Sequence, residues 1–153
     1  MNKTSKIVYF FIAVIFFIAL DLYFSNLLLD LVKQIPNNPV IDIVFIQNTG
    51  AAFSILEDST LFLIVFGIVA ILTIILYGIK NIENFSTFAS LWASMLVAGI
   101  FCNLYERICF GYVRDFFKLN FIDFPVFNIS DIFINIGVLA LIIIIIKNKY
   151  IKK

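Results

Sequence analysis

Four apolar runs, each long enough to cross a bilayer as a helix, constrain this chain more than any other feature. A hydrocarbon core of about 30 Å takes roughly 20 helical residues. The first run covers residues 7–20 without a charge and continues past Asp21 to about residue 32. The second covers 61–79, the third 85–107 with a polar outer end, and the fourth 129–147. None alternates apolar and polar residues as a membrane-barrel strand does. Composition agrees: 63% of the 153 residues are hydrophobic and 14% charged, against about 45–50% and about 25% in soluble domains. The expectation is an all-α membrane protein, a single integral membrane domain over residues 1–153. Its outer segments would be 34–58 and 108–127.

Charge sorting sets the expected orientation. With both termini inside, the cytoplasmic side holds Lys3, Lys6, Lys80, Lys147, Lys149, Lys152 and Lys153 against Glu83 alone. That Lys excess is the positive-inside pattern. The other nine acids then collect outside. Lys3 and Lys6 precede the first run as in a signal peptide, but no small-x-small cleavage site follows, so it reads as an uncleaved anchor. In the first outer segment, Val40-Ile41-Asp42-Ile43-Val44-Phe45-Ile46 reads as a short strand or two. The second outer segment is rich in Phe and Tyr, as suits a membrane–water interface.

The absence of His removes triads with a histidine base, His-ligated metals and imidazole proton shuttles. Cys102 and Cys109 form neither a disulfide framework nor a metal site, and no cofactor or metal is expected. Near-zero net charge argues against nucleic acid as a partner. What remains is carboxylate chemistry. An acid at a helix centre costs about 2.5–3.5 kcal/mol on the insertion scale, so those near spans need a reason. Gly99, Asn103, Glu106 and Arg107 fall on one helical face. Small residues on the same helix (Ala89, Ser90, Ala93, Ser94, Ala98) allow close packing.

Each polar residue has an ordinary reading. Asn128 reads as a helix cap and Asp131 as a first-turn acid. Asp115 reads as a loop acid beside Arg114, and Glu106–Arg107 as an interfacial charge pair. Together, Asp115 and Asp131 flank an aromatic loop in a chain without His. Two carboxyls held close do not both ionise easily, so one keeps a proton while the other acts as a base toward water.

Four blocks then carry a resemblance. Asn48-Thr49-Gly50-Ala51-Ala52-Phe53-Ser54, Asn103-Leu104-Tyr105-Glu106-Arg107, Gly111-Tyr112-Val113-Arg114-Asp115-Phe116 and Phe127-Asn128-Ile129-Ser130-Asp131 resemble, in order, the signature blocks of bacterial lipoprotein signal peptidase (signal peptidase II). The resemblance implies an aspartic endopeptidase of the bacterial inner membrane, with a four-helix layout and a small extracytoplasmic β-sheet. It implies a catalytic dyad at Asp115 and Asp131, supported by Asp21, Asn48, Gly50, Asn103, Glu106, Arg107 and Asn128. Asn48 and Asn103 would hold the substrate backbone. The implied substrate is a diacylglyceryl-modified prolipoprotein, cut just before its lipobox cysteine. The implied partners are that substrate and membrane lipids, with the chain acting as a monomer.

The sequence departs from the family pattern in places. Asp-x-x-x-Lys of the first helix reads Asp21-Leu22-Tyr23-Phe24-Ser25, and Asn-x-x-Asp-Arg carries Glu106. Ala98-Gly99 stands for Gly-Gly, and Cys102 for a glycine. Two other readings stay open at this point: a weak or inactive paralogue that binds lipidated peptides, and a small transporter with an acidic proton relay. The acids do not step across the bilayer, which argues against the relay.

Overall fold

The computed structural model describes residues 2–36, 38–50, 59–83 and 85–151, with side chains through 148. Four long helices dominate: α1 (Lys3–Leu31), α2 (Thr60–Lys80), α3 (Thr87–Phe110) and α4 (Ile129–Ile151). Each is long and apolar enough to span a membrane. They match the four hydropathic runs, with ends displaced by up to four residues. Side chains such as Ile15, Leu61, Phe66, Leu76 and Ile143 point outward, as lipid-facing positions should.

Helix α3 is central and packs on α1, α2 and α4. Lipid tails are as apolar as Leu, so close approach of small residues has to hold helices together. Two glycines do this between α3 and α4. A Cβ on Gly99 would lie 2.6 Å from the Ser130 carbonyl oxygen, and one on Gly137 would lie 2.9 Å from Leu96 Cβ. Helix α2 is attached more loosely; its one buried residue is Gly67. At the end away from the polar loops, Lys6 Nζ donates to the carbonyls of Ile82, Glu83 and Phe85. That ties the start of α1 to the α2–α3 turn.

The segments joining α1 to α2 and α3 to α4 each contribute a strand to a two-stranded antiparallel sheet, β1 (Ile41–Asn48) with β2 (Val113–Leu119). The first strand is the one expected. The second lies inside the segment read from sequence as a loop, because Val113-Arg114-Asp115-Phe116-Phe117 has no turn residue to betray a strand end. Gly111 makes the turn possible: at φ 81° it closes α3, its N–H donating to Arg107 O at 3.0 Å. This left-handed conformation is open to glycine without strain. The register shifts by one residue between Ile43 and Ile46, which bends the sheet. Phe127 then pairs with Phe117 and returns the chain to the start of α4.

Candidate active site

Asp115 sits on β2 and is almost fully buried. Its Oδ2 accepts from Asn48 Nδ2 at 2.8 Å and its Oδ1 from Asn128 Nδ2 at 2.7 Å. The register shift makes the first bond possible. Directly opposed residues of an antiparallel pair share a face, and a one-residue slip moves a side chain to the other. Asn48 lies opposite Val113, two residues from Asp115, so the two point the same way. Without the shift, Asn48 would face Tyr112 and share the side of Arg114. Asn48 is held in turn by its own Asx turn, Gly50 N–H donating to its Oδ1 at 2.9 Å.

Asp131 arrives from the other direction. Asn128 caps α4: its Oδ1 accepts from Asp131 N–H at 2.8 Å, and Asp131 Oδ2 accepts from Asn128 N–H at 3.2 Å. This is a reciprocal capping box. The ordinary reading of these residues is therefore correct, and it also aims the carboxylate. Asp131 Oδ1 is left to accept from Asn103 Nδ2 at 2.9 Å. Asn103 Oδ1 accepts from Asn128 Nδ2 at 3.2 Å. A chain of amides thus links the two carboxylates.

Arg107, one turn beyond Asn103, donates through NH2 to Gly50 O at 2.7 Å and through NH1 to Asn103 O at 3.3 Å. Its buried Nε has no partner among the described residues. The guanidinium lies near both acids. Ala51–Ser54 of the first signature block lie outside the described residues.

Asn48, Asn103, Arg107, Asp115, Asn128 and Asp131 all line one cleft of about 500 Å³. Its remaining wall is apolar, including Leu119, Phe124, Val126, Phe127 and Ile132. Burial pushes the Asp115 carboxyl up to about 7, and the neighbouring Asp131 charge adds to this; the Asn48 and Asn128 amides and Arg107 act the other way. At neutral pH such a carboxyl is in part protonated and can serve as an acid.

The structure places two of the expected site residues elsewhere. Glu106 turns away from the cleft and does not pair with Arg107. It accepts the backbone N–H of Arg114 at 2.7 Å and the Arg114 guanidinium at 2.8 and 2.5 Å. Arg114 accordingly is not the partner of Asp115. Asp21 lies behind the first turn of α4, accepting from Ser130 Oγ at 2.6 Å. Sequence reading missed Arg114 and Ser130 as partners, because pairs 8 and 109 residues apart have no helical or strand periodicity to announce them. Asn48 and Asn103, expected on substrate, point their amide donors at the carboxylates.

A family model for signal peptidase (SPase) II matches residues 12–147. The chain belongs to the signal peptidase II family. Among its relatives, a lipoprotein signal peptidase of Streptococcus thermophilus is 36% identical over 118 residues, 77% of this chain and 75% of the relative. One from Caldicellulosiruptor bescii is 40% identical over 108 residues, 71% and 69% of the respective chains. A solved bacterial membrane enzyme superposes with a TM-score of 0.80 at 26% identity, covering 94% of this chain and 91% of the other. All four signature blocks fall within the matched residues 12–147.

Proposed function

We propose that this chain is an aspartic endopeptidase that removes the signal peptide from diacylglyceryl-modified prolipoproteins, cutting just before the lipobox cysteine. The observation that carries this reading is the amide-linked pair Asp115 and Asp131 at one cleft with an apolar wall. Asp115, raised by burial and by the neighbouring Asp131 charge, serves as the protonated partner. Asp131 is the base: it stands in the first turn of α4, where the helix dipole favours a carboxylate.

In the reaction, water attacks the scissile carbonyl carbon as Asp131 takes its proton and Asp115 donates its own to the carbonyl oxygen. The tetrahedral diol collapses, the C–N bond breaks, and the leaving amine takes the proton held by Asp131. One of the two diol protons returns to Asp115, and the other stays on the new carboxyl group. Asn48, Asn103 and Asn128 orient the carboxylates, and Arg107 lines the same cleft, where its charge suits substrate backbone carbonyls. The apolar wall suits an acyl chain, in keeping with hydrolysis at the membrane surface. The Lys distribution supports a multi-pass protein of the bacterial inner membrane with both termini cytoplasmic and the cleft extracytoplasmic.

The test is cleavage of a diacylglyceryl-modified prolipopeptide by purified protein in detergent. Wild type should release the signal peptide, and Asp115→Asn and Asp131→Asn should each abolish release. Near-full activity in either variant overturns the dyad; binding without any product favours a lipopeptide-binding paralogue.

A further inference from the structure

The polar cluster behind the cleft contains a buried carboxylate that the reaction does not use. Asp21, Ser25, Cys102 and Ser130 are each at most 3% exposed, and they come from α1, α3 and α4. Among the described residues no cation forms an ion pair with Asp21. Its strongest visible partner is the Ser130 hydroxyl, at 2.6 Å, with the Cys102 thiol as a second. Ser130 is held from its other side as well. Its carbonyl oxygen would sit 2.6 Å from a Cβ on Gly99, so α3 presses on the backbone of the same residue that α1 holds by its side chain. Ser130 therefore stands where three helices meet, one residue before Asp131.

We propose that Ser130, fixed between Asp21 and Gly99, is a positioning residue for Asp131, and that the Asp21–Ser130 hydrogen bond sets the angle at which the first turn of α4 presents that carboxylate. The inference rests on the peptidase reading for its consequence in rate, but not for the clamp itself. Carboxylates must sit within a fraction of an ångström of productive geometry, and a misplacement of about 1 Å costs roughly 100-fold. The capping box aims Asp131 relative to Asn128; the clamp aims the whole turn relative to Asn103 on α3.

The experiment compares Ser130→Ala, Asp21→Ala, the double variant and Asp21→Asn in the full chain, in two readouts. In the first, hydrogen exchange of the amides at 129–133 is expected to speed up about tenfold or more in Ser130→Ala and Asp21→Ala, with the lower half of α4 unchanged. In the second, kcat falls about tenfold in each single variant with KM within about twofold, and the double variant is no worse than the poorer single one. Asp21→Asn, which keeps the acceptor, recovers most of what Asp21→Ala loses. Additive losses, an unchanged kcat in Ser130→Ala, or a rise in KM alone would overturn the proposal. Should the wild type fail to cleave, the peptidase reading fails while the exchange data still decide the clamp: unchanged exchange at 129–133 in both single variants refutes it.

Discussion

The Asn128 side-chain amide donates to Asp115 Oδ1 at 2.7 Å across the gap between α4 and β2. The other end of the same side chain caps α4 by accepting the Asp131 N–H at 2.8 Å. One residue therefore fixes both carboxylates. Asn128→Asp keeps the capping acceptor but buries a further carboxyl against Asp115, so cleavage should fall at least 100-fold and the Tm in detergent should fall with it. Asn128→Ala loses the cap as well, at about 1 kcal/mol. Equal activity in Asn128→Asp and wild type would show that Asn128 does not orient the dyad.

The raised Asp115 carboxyl makes both activity and stability depend on pH. With its ordinary value of 3.8 moved up to about 7, folded Asp115 holds a proton across that window that the unfolded chain releases. Stability should therefore fall as pH rises from about 4 to about 7 and level off above it. Asp115→Asn should flatten that slope in thermal unfolding. Activity should show an alkaline limb near pH 7 as the acid is lost, reported for the dyad as a unit. Asn48 donates to the ionised form, so Asn48→Ala should move this limb to higher pH.

Glu106 and Arg114 make a buried ion pair whose side chains are 6% and 10% exposed. Glu106 also holds the backbone N–H at the start of β2, next to Asp115. Removing one partner leaves the other charge buried, at about 3–5 kcal/mol. Glu106→Ala should lower the Tm markedly, and replacing both residues by apolar ones should recover much of the loss. Glu106→Asp is one methylene shorter and should cost less stability than Glu106→Ala. A Tm unchanged in Glu106→Ala would show that the pair does not hold the strand.

Gly99 and Gly137 both allow α3 and α4 to touch, at different distances from the site. Alanine at either overpacks the contact, at about 1–3 kcal/mol. Gly99→Ala drives a methyl toward the Ser130 carbonyl and should reduce kcat as well as Tm. Gly137→Ala meets Leu96 and Trp92, more than a helical turn further into α4, and should reduce Tm with much less effect on kcat. Parallel losses of kcat in both would mean that the packing near Ser130 has no special bearing on Asp131.

By itself, the sequence determined the membrane class, the four helices and the candidate carboxylates. These follow from local properties: mean hydropathy over a span, the cap-and-acid pattern Asn128-x-x-Asp131, and the lack of any histidine. The strand β1 was legible from its β-branched run. What only the tertiary structure decided was who faces whom. A one-residue shift between Ile43 and Ile46 chooses which side of the sheet Asn48 occupies, and no local propensity encodes it. Glu106 had Arg107 beside it in sequence, yet it pairs with Arg114, because Gly111 turns the chain back toward the end of α3. Asp21 and Ser130 meet because α1 and α4 both pack on α3. Hydropathy is summed residue by residue and survives without a fold; hydrogen-bond partnership depends on distances of a few ångströms, and the packed helices alone set those.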